Sequence, residues 1–363
     1  VEIPNFQRPG VDLLQLTAQL VDIPSVSLQE KQIADVFERE LRAIPWLETT
    51  RIGDNLVART NLGRRYRVVL GGHFDTVPVN DNATARIEGE TLWGLGAADM
   101  KGALAVMLEL ARRIPDPAVD VTYVLYAAEE IAIVHSGLRE IDRERPDLLV
   151  CDVALMGEPT AATLEAGCQG TMRFEVTLSG RRAHTARAWL GRNAIHRLGG
   201  LLDALAAYEP RRPVIQGCQF HEALQAVFVE GGAAGNVVPD HVRLVVNHRF
   251  APDRSAAEAE AHVRAVLAPH LDDGDTVTVV DLGVAAPPRL DHPLLAAFTG
   301  RFDLQVRAKL GWTDVAFFAE RGIPAANFGP GDAEVSHTRD EHVTRTYLDF
   351  CYAALGELLV QGV

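Results

Sequence analysis

The sequence predicts an α/β protein: a larger domain built on a mixed, largely parallel sheet, interrupted by a smaller inserted α+β domain. Three observations lead there. In the first half, short β-rich apolar runs alternate with helical stretches, an order that demands a sheet covered on both faces. Near residue 171 the pattern changes to strict apolar–polar alternation, the mark of a strand with one face in water. The length, 363 residues, also exceeds what one hydrophobic core organises comfortably.

Residues 11–21 and 28–43 have amphipathic helical spacing. Residues 67–72 (RVVLGG) form a short β-rich run, and 101–114 (KGALAVMLELARRI) have helical composition and period. Residues 121–127 (VTYVLYA) and 151–156 (CDVALM) are apolar runs of strand length. Past residue 171, Met172, Phe174, Val176 and Leu178 alternate with Arg173, Glu175 and Thr177. A helix is expected at about 193–208, strands near 224–230 and 241–250, a helix at 255–267 and a strand at 276–281. That β-α-β-β-α-β order suits a ferredoxin-like domain. Residues 286–363 return to the first style and end in a helix at 344–361. The expected division is 1–171 with 286–363 for one domain and 172–285 for the insert.

Composition narrows the partners. Lys plus Arg is 35 against 49 Asp plus Glu, a formal net charge of −14, which disfavours polyanions. Aromatic residues are 6% of the chain, too few for a base-stacking platform. No nucleic-acid partner is expected. Cys151, Cys168, Cys218 and Cys351 form no C-x-x-C pair, which argues against a thiolate zinc site and suits a reducing cytoplasm. The stretch VEIPNFQRPGVDLLQLTAQLV lacks a basic region followed by an apolar run, so no signal peptide is expected. No apolar run is long enough to span a bilayer, so no membrane partner is expected either.

Five short clusters carry the chemistry. Gly71-Gly72-His73-Phe74-Asp75-Thr76 follows a buried-type strand, where open α/β sheets form their ligand crevice. A neutral imidazole there is a good zinc ligand, and a carboxylate two residues on can hold its other nitrogen. Asp99 opens a helix, Glu129-Glu130 follow VTYVLYA, Glu158 follows CDVALM, and His337 lies in a loop. Singly, each has a plain explanation: a loop cap, an N-cap, a solvated helix start, a turn, a surface histidine. Together, they place nitrogen and oxygen donors, without sulfur, at strand ends or loops of one expected sheet. That donor set suits zinc or a similar divalent ion. Five ligands exceed one catalytic zinc with an open position, and suit two if a carboxylate bridges them.

The motifs GGHFDTVP, LWGLGAADMKGA, YAAEE, MGEPT, GRRAHTARAWLGRNAIH, GNVVPD and EVSHTRDE, in that order, resemble those of the two-zinc amidohydrolase and exopeptidase family. The resemblance covers essentially the whole chain. Within the family, LVDIPSVSLQEKQIAD, LEAGCQGTMR, RAHTARAWLGRNA, NHRFAPDR and AKLGWTDV are most similar to the desuccinylases. The resemblance implies a zinc-exopeptidase-like catalytic domain and an inserted lid that joins a homodimer. It implies two Zn2+ per subunit, with Co2+ or Mn2+ as substitutes. His73 and Glu158 would hold one ion, Glu130 and His337 the other, and Asp99 would bridge them. Asp75 would orient His73, and Glu129 would be the general base. His184, in the insert, would reach a second subunit's site and bond the developing oxyanion. Asn236, Arg249, Thr313 and Gly329 would contact substrate.

The implied substrate is an N-acyl amino acid, above all N-succinyl-LL-2,6-diaminopimelate. An acetylornithine deacetylase, another deacylase or a carboxypeptidase would use the same centre. A catalytically dead binding protein would be expected to have lost a ligand or the base, and here all are present. Where some desuccinylases carry arginine, this chain has Cys168-Gln169-Gly170; Arg182 or Arg187 would replace it in holding a substrate carboxylate, or both are solvated surface charges.

Overall fold

The computed structural model describes residues 11–363. The first ten residues, on which the signal-peptide reading partly falls, lie outside the described residues. The chain divides into two compact units, one of Val1–Ala166, Arg289–Arg307 and Phe317–Val363, the other of Gly167–Pro288 and Ala308–Ala316.

The first unit carries an eight-stranded sheet. Across it run Glu48–Ile52, Asn55–Arg59, Asp120–Tyr126, Arg67–His73, Val153–Met156, Ala325–Asn327, Leu164–Cys168 and Val306–Lys309. The four strands from Asp120–Tyr126 to Ala325–Asn327 are parallel. Arg67–His73 is buried along nearly its whole length, as a central parallel strand covered on both faces must be. Its glycines allow close packing. A Cβ on Gly72 would stand 2.5 Å from Met100 Cε, and one on Gly71 2.7 Å from Met156 Sδ.

The helix Gly102–Arg113 buries ten of its twelve residues, packing against the helices Leu13–Val21 and Arg345–Gln361. The latter is the expected terminal helix. The hairpin Glu48–Ile52/Asn55–Arg59 was not expected. Its two-residue turn is Gly53-Asp54, with Gly53 at φ +59°, a conformation that favours glycine.

In the second unit, the sheet order is Ala223–Gly231, His241–Phe250, Gly170–Ser179, Thr276–Gly283, all antiparallel. With the helices Ala194–Ala206 and Ala256–Leu267, the chain order is the expected β-α-β-β-α-β. Met172, Phe174, Val176 and Leu178 are buried in a core with Leu201 and Val263. The second helix starts on a full capping box between Ser255 and Glu258, which satisfies two otherwise unpartnered amides. Residues 308–316 group with this unit, whereas the sequence reading assigned them to the larger domain. Among the described residues no helix is long and apolar enough to cross a membrane.

Candidate metal centre

Parallel strands present their carboxyl ends at one edge, and most of the chemistry-bearing residues lie there. His73 ends Arg67–His73, Glu129 and Glu130 follow Asp120–Tyr126, and Glu158 follows Val153–Met156. Asp99 lies in the wide turn Ala97–Lys101 at the head of the helix Gly102–Arg113. His337 lies in the loop before the strand His342–Thr344.

These side chains meet. His73 Nε2 is 3.1 Å from Asp99 Oδ1, and His337 Nε2 is 3.5 Å from Asp99 Oδ2 and 2.8 Å from Glu130 Oε1. Two sets share Asp99: His73, Asp99 and Glu158, and Asp99, Glu130 and His337. In each, the donor atoms lie within 4.8 Å of one another. His73, Glu129 and Glu130 form a third such set.

The electrostatics indicate which kind of ion the cluster suits. Burial opposes charge on His73, yet the carboxylates of Asp75 and Asp99 hold its pKa well above the usual value. Asp99 and Glu130 raise that of His337 to about 10. Burial pushes the Asp99 carboxyl up, but the two imidazoles outweigh it and hold it well below the carboxylate range. Even with both imidazoles protonated, the acids Asp75, Asp99, Glu129, Glu130 and Glu158 outnumber the cations. Hard oxygen and imidazole donors with surplus negative charge fit a pair of divalent ions.

Buried acceptors hold the turn that carries the two glutamates. Asp75 Oδ1 accepts from the Glu129 amide and Oδ2 from the Glu130 amide, both at 3.0 Å. Ser27 Oγ donates to Asp75 at 2.7 Å. Burial raises the Asp75 carboxyl, but His73, these amides and Ser27 bring it down to about 2. Glu30 accepts from the Ala128 amide at 3.1 Å, and Ala128 sits at φ +59°. Three successive amides are thus gripped by two carboxylates. The sequence alone ties Asp75 only to His73 and gives no sign of this role for Glu30, although Glu30 lies inside the LVDIPSVSLQEKQIAD motif.

The sequence model of Peptidase family M20/M25/M40 matches residues 69–361. The chain belongs to this family. It is 50% identical over 335 residues, 92% of this chain and 93% of the relative, to a Mycobacterium tuberculosis protein named "Putative succinyl-diaminopimelate desuccinylase DapE". It is 44% identical over 344 residues, again 92% and 93%, to a succinyl-diaminopimelate desuccinylase of Corynebacterium glutamicum. Among solved structures, a tripeptidase from Staphylococcus aureus superposes with a TM-score of 0.79 at 22% identity, covering 99% of this chain and 98% of that one. This M20 chain is a metal-dependent amidohydrolase.

The remaining expected site residues are placed as follows. In the second unit, His184 and Asn236 are neighbours: His184 pairs with Val237 across a two-residue ladder, and the Thr185 amide donates to the Asn236 carbonyl at 3.0 Å. His184 is exposed, and its Nδ1 accepts from the Ala186 amide at 3.0 Å. Arg249 lies on His241–Phe250, where burial, then Arg173, lowers its pKa. Thr313 is buried. Arg182 donates to Asp240 at 2.8 Å. Arg187 makes no ion pair among the described residues. In the first unit, Gly329 packs on the backbone of Gly157 and Glu158.

Proposed function

We propose that this chain hydrolyses N-succinyl-LL-2,6-diaminopimelate to succinate and LL-2,6-diaminopimelate. The observation that carries the reading is the 44% identity, across 92% of the chain, to a relative named for that reaction, on top of a complete donor set. His73 and Glu158 would hold one Zn2+, Glu130 and His337 the other, with Asp99 between them. Bound there, two divalent ions supply Lewis acidity, polarising the amide carbonyl and acidifying water.

The chain's own residues do the rest. Asp75 holds the amides of Glu129 and Glu130, so the two side chains leave one rigid turn. Glu129 takes a proton from the attacking water. It then delivers that proton to the amine nitrogen as the C–N bond breaks, since one carboxylate can act first as base and then as acid. His184 donates to the tetrahedral oxyanion, supplied from the lid of a second subunit. Asn236, Arg249, Thr313 and Gly329 contact substrate.

The homodimer reading is supported by the edge strand Ala223–Gly231, where Val227, Phe228 and Val229 are all about half exposed. An open apolar edge is a ready template for a second copy. All four cysteines are free, which accords with a cytoplasmic setting.

Steady-state kinetics on N-succinyl-LL-2,6-diaminopimelate, N-acetylornithine and a dipeptide test the reading. The succinyl substrate should give the highest kcat/KM. A higher value for either of the others would replace it with a deacetylase or a dipeptidase.

A further inference from the structure

We infer that Glu341 is a positioning residue that sets Asp99 and His337 against each other before any metal binds. The inference rests on reading those two residues as ligands. In the turn ahead of the helix Gly102–Arg113, the carbonyls of Gly94 and Gly96 accept from the Ala97 and Lys101 amides, and the amides of Gly96, Ala98 and Asp99 turn to a side-chain acceptor. Buried amides need acceptors. Glu341 provides them. Its Oε1 accepts from the amides of Ala98 and Asp99, and its Oε2 from that of Gly96, each at 3.0 Å. The residue is 0% exposed.

Its main chain is tied to the other ligand. The Glu341 amide donates to the Thr338 carbonyl at 3.3 Å, one residue from His337. That carbonyl also accepts from Asn82 Nδ2 at 3.0 Å. The Glu341 carbonyl accepts from the Gly94 amide at 3.0 Å. His337 stands at φ +62°, a conformation a non-glycine residue keeps only when its surroundings impose it. One residue therefore grips the Asp99 backbone with its side chain and the His337 loop with its main chain. The 3.5 Å approach of His337 Nε2 to Asp99 Oδ2 follows from that double grip. A residue that merely capped a buried turn would contribute stability and leave the metal indifferent.

The test is a titration of metal-free protein with Co2+ alone, read by stoichiometry, affinity and visible absorption. Glu341→Gln keeps the volume but turns one acceptor oxygen into a donor that faces an amide. Its Co2+ affinity should fall at least about tenfold, the usual scale for losing an outer support of a metal ligand, and its cobalt spectrum should change. Asp275→Asn, a buried-carboxylate change in the other unit, should lower stability and leave the cobalt titration as in wild type. Wild-type affinity and spectrum in Glu341→Gln would overturn the inference. Absence of Co2+ binding by the wild type would overturn the metal reading, and this inference with it. If Glu341→Gln does not fold, hydrogen exchange in metal-free wild type decides. Amides of Gly96, Ala98 and Asp99 protected like those of the central strands support the inference. Exchange at loop rates overturns it.

Discussion

A methyl group on Gly329 would stand 2.5 Å from the carbonyl oxygen of Glu158 and closer still to that of Gly157. Both obstacles are backbone, so neither can rotate away. The Gly329 loop and the Glu158 loop are also laced together: Thr160 Oγ1 and the Gly329 backbone exchange hydrogen bonds at 3.1 Å. Gly329→Ala should therefore push the Glu158 loop out of place. The expected cost is about 1–3 kcal/mol, the range for overpacking, together with weaker metal binding. Urea unfolding and metal titration check it. Wild-type values in both would mean the loops part without penalty.

Glu129→Gln should keep its metal, because the amide fills the same space and Asp75 still grips the backbone of residue 129. Turnover should fall at least about a hundredfold, the scale of lost general-base help. Metal content by atomic emission and kcat on the succinyl substrate are the paired measurements. Near-normal kcat would remove Glu129 from the proton transfers.

His184→Ala should leave metal content unchanged and lower turnover. Mixing inactive His184→Ala with inactive Glu129→Gln subunits should restore activity, because one of the two sites in a heterodimer would then have both groups intact. No recovery in heterodimers shown to have formed would place His184 at its own subunit's site.

The pH dependence of stability has a defined sign at Asp275. Burial raises its carboxyl, but Arg197 and the amides of Asp272 and Ser179 bring it down to about 2 from an ordinary 3.8. A depressed carboxyl stabilises the fold fully above its unfolded pKa, and that contribution is lost as pH falls through the folded one. Asp275→Asn should thus cost about 2 kcal/mol at neutral pH, the scale of charge-assisted hydrogen bonds. The difference from wild type should shrink below pH 4 and close near pH 2. Urea unfolding of chelator-treated protein at several pH values measures it, and a gap that stayed constant to pH 2 would contradict the assignment.

Much of this architecture was legible because local pattern and burial agree. RVVLGG, VTYVLYA and CDVALM became three parallel strands, and the alternation from Met172 to Leu178 became a strand with one buried face. The hairpin at Gly53-Asp54 was overlooked because Glu48–Ile52 is mostly polar and half-exposed, and such strands leave little periodic trace. The candidate donors stand out in the sequence by type and by place: His73, Glu129, Glu130 and Glu158 at strand ends, Asp99 before a helix and His337 in a loop. Glu30 and Glu341 do not. A buried glutamate that accepts amides from a distant turn looks, in sequence, like any helix-flanking or loop acid.

The amino-acid order by itself determined where candidate cation donors lie along the chain, which strands are central, and that a second β-α-β-β-α-β unit interrupts the first. Only the tertiary structure decided that Asp75 grips the amides of Glu129 and Glu130, Glu30 that of Ala128, and Glu341 those of Gly96, Ala98 and Asp99. Strand and helix periodicity is written in neighbouring residues. The partner of a buried amide is chosen by chain closure across scores or hundreds of residues, which spacing along the sequence does not encode.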